Sequence, residues 1–267
     1  MLSYQHAYHA GNLADLHKHA LLASMLAYLV RKPKPLSYLE THSGRALYDL
    51  SGEQAATTGE AASGITRALA EGWLPQDHPL LAIIKATREK WGAAAYPGSP
   101  LIADTLLRGD DRLNLAELHP AEAEALEATM DGRARVHRED GFVMANRLCP
   151  PEPRRGMLLI DPSWEVKADY ERMPDFIQRI ARKWNVGVIA LWYPILNDGR
   201  HAAMLRALSA NHPEALRSEV RFPAARKGHR MVGSGMFVIN APWGTDKAAA
   251  EIEAMFRALG TRSAPAH

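Results

Sequence analysis

Apolar residues recur at spacings of three and four at Leu13, Leu16, Ala20, Leu21, Met25, Leu26 and Leu29. This spacing predicts a helix from about Leu13 to Arg31, and Lys32-Pro33-Lys34-Pro35 ends it. Other stretches are continuous apolar runs of strand length. Leu36–Glu40 reads as a first strand and Arg112–Glu117 as a second, with a short third strand near Ala134–Val136 that ends at Asp140-Gly141. Met157-Leu158-Leu159-Ile160 runs straight into Asp161-Pro162-Ser163-Trp164, which suits a strand buried on both faces of a parallel sheet. Further strands are predicted at Val186–Tyr193, Leu216–Phe222 and Met236–Asn240. Helices are predicted over Pro120–Met130, Tyr170–Lys183, Ala202–Ala210 and Thr245–Leu259.

Between the first two strands lie some 70 residues, where a simple βαβ unit needs about 30 in all. Helical patterns cover roughly Glu60 to Gly72 and Pro79 to Trp91 there, so residues 47–95 read as a helical insertion. Tyr96-Pro97-Gly98-Ser99-Pro100 then reads as a turn into a short helix. The repeated βα units predict an α/β, Rossmann-like fold with a mostly parallel, doubly wound sheet. One domain over 1–267 carrying the insertion is preferred to two domains.

With 47% hydrophobic and 23% charged residues, the chain has the make-up of an ordinary globular protein. A net charge of +2 permits an anionic partner without demanding one. The single Cys149 excludes an internal disulfide and a cysteine-based zinc site, and it fits a reducing cytosol. The opening residues lack the basic and apolar regions of a signal peptide, and the apolar run Ala20–Val30 is too short to span a bilayer. A soluble, cytoplasmic protein is expected.

The candidate chemistry gathers at strand ends, where ligands of such sheets bind. Glu40 and Gly44 close the first strand, Glu117 the second, Asp140-Gly141 the third and Asp161 the fourth. A carboxylate after the second strand suits ribose hydroxyls, and an Asp after the third can accept from an adenine amino group. Asp161 and the Pro162 carbonyl can each accept one N–H of an exocyclic amine, while Trp164 offers a ring for stacking. Any one of these acids is equally what a helix cap or a surface charge looks like.

Residues 1–19 hold little that packs and much that reacts: Tyr4, His6, His9, Asn12, Asp15, His17, Lys18 and His19. The histidines lack the spacing of a zinc protease, so no metal site is expected, and His17 is expected as an exposed helix residue. Arg221, Arg226, Lys227, His229 and Arg230 precede Gly233-Ser234-Gly235 on a loop expected beside the strand-end site, a local patch able to contact phosphates.

Taken together, these residues resemble the adenine-N6 methyltransferases of 23S ribosomal RNA known as ribosomal RNA large-subunit methyltransferase J. The resemblance covers nearly the whole chain. Near the N-terminus it rests on Met1–Tyr4 with His6, His9–Asn12 and Lys18-His19, then on Thr41-His42 with Gly44 and on Tyr96–Pro100. Further on it rests on Glu117–Pro120, Asp140–Phe142, Ile160–Pro162, Leu191–Pro194, and Gly233–Met236 with Asn240 and Pro242-Trp243. It implies a class I methyltransferase fold using S-adenosylmethionine, held by Lys18, His19, His42, Ser99, Glu117, Asp140 and Gly141. It implies Asp161 as the catalytic residue, with Tyr4 and His6 helping to form the target pocket.

Two departures stand out. The family's Asp-Pro-Pro-Tyr is Asp161-Pro162-Ser163-Trp164 here, and glycines of the first-strand loop give way to Arg45 and Ala46, leaving Gly44 to let the backbone approach the cofactor. The implied reaction is direct transfer to an unpaired or flipped adenine, by a protein expected to be monomeric, with Arg226, Lys227 and Arg230 contacting the RNA. DNA adenine or a protein amide is an alternative substrate for the same chemistry. A non-catalytic RNA-binding relative is the alternative from another class.

Overall fold

The apolar runs become the strands of one seven-stranded sheet in a computed structural model that describes residues 6–226 and 228–262. In chain order the strands are β1 (Ser37–Glu40), β2 (Leu47–Asp49), β3 (Ala95–Pro97), β4 (Arg112–Ala116), β5 (Arg135–His137), β6 (Gly156–Ile160), β7 (Val188–Leu196), β8 (Leu216–Arg221) and β9 (Met231–Ile239). The main sheet runs β5-β4-β1-β6-β7-β9-β8. Its first five strands are parallel. β9 lies antiparallel between β7 and β8, so β8 again runs with the parallel set.

Strand alternation divides the core between the two faces. Met157 and Leu159 join the cluster that holds Leu21, Met25 and Leu26 of α1 (Leu13–Leu29), while Leu158 and Ile160 join the one that holds Ile177 and Ile180 further along the chain. Burial of each such side chain contributes about 1.5–3 kcal/mol. Every residue of α1 from Ala14 to Ala23 is buried. The helix is therefore a core element, and His17 is fully buried instead of exposed. Its ring meets Ser234 and Ser218, serines some 200 residues away.

The insertion is closed by a two-stranded antiparallel ribbon, with Leu47 opposite Pro97 and Tyr48 opposite Tyr96. Tyr96 and Pro97, read as turn residues, are thus strand residues. Between the ribbon strands come α2 (Glu53–Thr58), a π turn (Ala62–Thr66), α3 (Arg67–Ala70) and α4 (Pro79–Trp91). The expected Glu60–Gly72 helix is broken at Gly64, where φ −93° and ψ −114° are not helical. A Cβ there would sit 2.2 Å from the Gly11 carbonyl oxygen. Glycine thus lets the N-terminal loop lie against the insertion, and the Ile65 amide donates to that same carbonyl at 2.8 Å.

α5 (Ser99–Leu106), α6 (Pro120–Met130), α7 (Gly141–Leu148), α8 (Ala168–Lys183), α9 (His201–Asn211) and α10 (Thr245–Arg262) complete the layers. α7 was not expected from the sequence: it has eight residues and ends before the cis Cys149-Pro150 bond. β9 begins five residues earlier than expected, so Gly233, Ser234 and Gly235 belong to the strand and not to a loop. Close packing explains the glycines: a Cβ on Gly235 would fall 2.2 Å from the Tyr193 ring. Among the described residues no helix is long and apolar enough to cross a membrane.

Candidate active site

Strand order reverses between β1 and β6, and a cleft of about 540 Å³ opens beyond their carboxyl ends. This is where doubly wound sheets bind ligands, in a size suited to a small molecule. The structure brings together there His6, Lys18, His19, His42, Gly44, Ser99, Glu117, Asp140, Gly141, Asp161, Pro162 and Trp164. Tyr4 and Lys227 lie outside the described residues. Arg226 and Arg230 are exposed and do not line the cleft, although His229 and Met231 of the same stretch do. Among the described residues no group of three His, Cys, Asp or Glu side chains forms a metal site.

α1 supplies one side of the cleft. Asn12 caps it, accepting from the Asp15 amide, and so fixes the first turn. Spacings of three and four then bring Asp15, Lys18 and His19 together. The Lys18 Nζ donates to Asp161 Oδ2 at 2.6 Å and lies 3.2 Å from Asp15 Oδ1. Asp15 also receives His6 Nε2 at 2.8 Å and the Gly11 amide at 2.9 Å. Burial pushes its carboxyl up, but His6, Lys18 and His19 outweigh that, and it sits well below the usual carboxylate range. Burial drives His19 down to about 3, and its Nδ1 meets the Tyr96 hydroxyl at 2.7 Å.

Loops after the strands supply the rest. Glu117 Oε2 accepts the Gly44 amide and Oε1 the His119 amide, both at 2.8 Å, which ties the loops after β1 and β4 together. Asp140 Oδ1 caps α7 through the Phe142 and Val143 amides, so it is both a cap and a cleft residue. Gly141 is required by contact: a Cβ would fall 1.8 Å from the Thr41 carbonyl oxygen. His42 bonds Thr41 Oγ1 at 2.8 Å, meets the Phe142 ring edge-on, and is driven by burial to about 4.

Of the four strand-end acids, Glu40 turns inward. It is fully buried, accepts from the Tyr38 and Ser99 hydroxyls, and is pushed by burial up to about 8. Trp164, expected as a stacking surface, is only 5% exposed, with its ring 4.5 Å from that of Tyr170 and its backbone in the left-handed region at φ 58°.

Sequence reasoning did not single out Trp192 as a cleft residue or Asp15 as the hub. Asp15 had a local signal, lying three residues after Asn12 and four before His19. Trp192 had none. Lys18 Nζ lies 5.5 Å from its ring centroid, and its Nε1 donates to Ser234 Oγ at 2.9 Å. Ser218 donates to Glu253, so it accepts from His17 Nε2; His17 Nδ1 then accepts from Ser234. Burial holds that ring at about 3, so it is neutral and these donor directions suit it.

The sheet order, with its antiparallel penultimate position, and acids beyond β4, β5 and β6 define the chain as a Rossmann-like methyltransferase of class I, the class that uses S-adenosylmethionine. The model of the family described as "Ribosomal RNA large subunit methyltransferase D, RlmJ" matches residues 33–263. Ribosomal RNA large subunit methyltransferase J of Escherichia coli (strain K12) is 39% identical over 247 residues, covering 91% of this chain and 88% of the relative. The protein of the same name from Haemophilus influenzae is 37% identical over 250 residues, with the same coverage. A crystal structure of a Legionella pneumophila protein superposes with a TM-score of 0.83 at 36% identity, covering 95% of this chain and 93% of the other. The chain belongs to the ribosomal RNA large subunit methyltransferase J family.

The donor set fits the cofactor. Asp15, Glu117, Glu122, Asp140, Asp161, Glu165 and Asp169 line the cleft against Lys18 and Arg172, an acidic surround suited to a sulfonium and an α-ammonium. Ser43 Oγ, His119 Nδ1 and Trp164 Nε1, on three cleft loops, are buried polar atoms with no hydrogen-bond partner among the described residues. Such atoms carry a cost that a bound polar ligand relieves.

Proposed function

We propose that this chain transfers the methyl group of S-adenosylmethionine to the N6 amine of an adenine in 23S ribosomal RNA. The observation that carries the reading is Asp161-Pro162 at the end of β6, held beside Lys18 in a cleft lined by Glu117 and Asp140. Glu117, Asp140, Gly44, Gly141, His42, Ser99 and His19 would hold the cofactor, Glu117 toward ribose hydroxyls and Asp140 toward the adenine amine. When bound, the cofactor supplies an electrophilic methyl on a sulfonium.

The Lys18 bond engages Asp161 Oδ2 and leaves Oδ1 to receive the target amine, with the Pro162 carbonyl as the second acceptor. Two acceptors on one amine favour a pyramidal nitrogen and aim its lone pair, and positioning of this kind lowers the barrier by several kcal/mol. Asp161 takes the excess proton as the bond forms. Tyr4 and His6 would help to form the target pocket, and His6 is held there by Asp15.

The adenine must be unpaired or flipped out of its stack. Arg226, Lys227 and Arg230 would contact phosphates on the stretch that carries His229 to the cleft. The protein would act as a monomer, and ribosomal RNA as substrate supports a cytoplasmic location. Residues 47–95 would act as a subdomain of the same unit.

N6-methyladenine mapping in 23S ribosomal RNA from cells with and without this protein tests the reading. One adenine is expected to lose its methyl in the deletion and to regain it with the parent gene but not with Asp161→Ala. Methylation of duplex DNA with none on ribosomal RNA would overturn it.

A further inference from the structure

The Lys and Arg side chains that line the cleft have a carboxylate within reach: Lys18 pairs with Asp161 and Arg172 with Asp169. That pattern stops along the outer face of α8. Arg179, Arg182 and Lys183 are exposed there, and no ion pair engages them among the described residues. Neutral acceptors hold two of them without cancelling their charge, because Arg179 Nε donates to Asn146 Oδ1 and Lys183 Nζ to the Asn146 carbonyl. Asp175 and exposed Glu171 are the acids on this face, and Arg172, Arg179, Arg182 and Lys183 outnumber them.

The stripe is continuous at both ends. Arg172, two helical turns before Arg179, lines the cleft. Beyond the last turn, Trp184 Nε1 donates to the Arg154 carbonyl and Arg154 Nη2 reaches Asn185 Oδ1, which brings exposed Arg154 alongside. Arg155 Nη1 then reaches the carbonyl of exposed Lys34 at 2.7 Å. Sixteen residues of helix make this side about 24 Å long. Seven carboxylates face only Lys18 and Arg172 in the cleft lining, a balance that repels phosphate, so a nucleic acid entering it has to be held from outside.

We propose that the α8 stripe, from Arg172 through Arg179, Arg182 and Lys183 to Arg154, carries the phosphodiester backbone of the RNA that flanks the target adenine. This rests on the proposed ribosomal RNA substrate. Phosphate contacts of this kind fix register and orientation while leaving base choice to the cleft.

The test is binding of protein-free 23S ribosomal RNA across a sodium chloride titration, with cofactor affinity and turnover at saturating RNA measured in parallel. Three pairs are compared with the parent: Arg179→Glu with Arg182→Glu, the milder Arg179→Gln with Arg182→Gln, and Lys85→Glu with Lys247→Glu. The last pair lies on α4 and α10 and changes net charge as much as the first.

The charge reversal on α8 is expected to weaken RNA binding at least tenfold at low salt. Both α8 pairs are expected to make the log–log salt dependence shallower by about 1.5, as for two lost phosphate contacts. Cofactor affinity and saturated turnover stay at the parent's values. If the parent binds RNA and both α8 pairs match its affinity and slope, or if the α4/α10 pair loses as much, the stripe has no such role. If the parent neither binds nor methylates the RNA, the substrate assignment falls and takes the stripe with it.

Discussion

On the α1 side of the cleft, Asp15, Lys18, His6 and Asp161 satisfy one another. On the loops after β1 and β4, Ser43 and His119 each bury a polar atom with no hydrogen-bond partner among the described residues. The first arrangement holds Asp161, the acid proposed to receive the target amine, in place before any ligand arrives. The second has unmet hydrogen-bonding capacity, so a ligand can contribute most there. The proposed division of labour is a preorganised reaction side and a ligand-completed cofactor side.

The sharpest way to break this contrast is at Asp161. We expect Asp161→Ala to lower turnover on the order of 10³-fold while cofactor affinity, by calorimetry, stays within a few-fold. Equal losses in both would mean that the two sides are not separable. Lys18→Met is expected to lower turnover about 100-fold, since Asp161 loses the donor that orients it. Removing one partner of so buried an ion pair also destabilises by about 3 kcal/mol, visible as a lower urea midpoint. An unchanged midpoint would show that the Asp15–Lys18–Asp161 contacts add nothing to the fold.

A smaller effect sharpens the picture through pH. Burial holds His17 and His19 at about 3, against an ordinary 6.5. Between those values the unfolded chain takes up protons that the folded chain refuses. Their contribution to stability is thus full above pH 6.5 and is lost as pH falls toward 3. His17→Leu removes one such proton, so the slope of stability against pH should fall by about 1.4 kcal/mol per unit within that window. It should cost about 1–2 kcal/mol at pH 7 through two lost hydrogen bonds. An unchanged slope in denaturation between pH 4 and 6 would refute a neutral, buried His17.

The smallest effect is expected at Arg45→Gly, which restores the family's small residue in the first-strand loop. Arg45 grips Glu122 on α6, away from the Asp161 end of the cleft. Cofactor affinity should change by no more than a few-fold and turnover not at all. A large drop in turnover would place this loop within the reaction side.

Much of this was legible in the sequence wherever the signal was local. The run before Asp161, the Pro120 helix start and the acids at strand ends are all local patterns, and the sheet follows from them. Contacts distant in sequence were not legible. His17 looked exposed because its partners, Ser218 and Ser234, lie on strands some 200 residues later. The β2–β3 ribbon escaped notice because three-residue strands carry almost no periodicity. Glu40 and Glu117 have the same sequence context; what turned the first inward was the Tyr38 hydroxyl two residues back and Ser99 beyond the insertion. Trp164 read as an open ring surface, and only the fold shows it packed against Tyr170.

From Ala14 to Ala23, α1 gives no position to solvent, yet this stretch carries Asp15, Lys18 and His19. Residues proposed to serve the reaction are therefore also residues that carry the interior of the fold. On the proposed assignment, loosening this helix would dismantle the methyl-transfer geometry along with the interior, so a half-folded copy would have no means of marking stray amines, and any redesign of the reaction would have to be a redesign of folding as well.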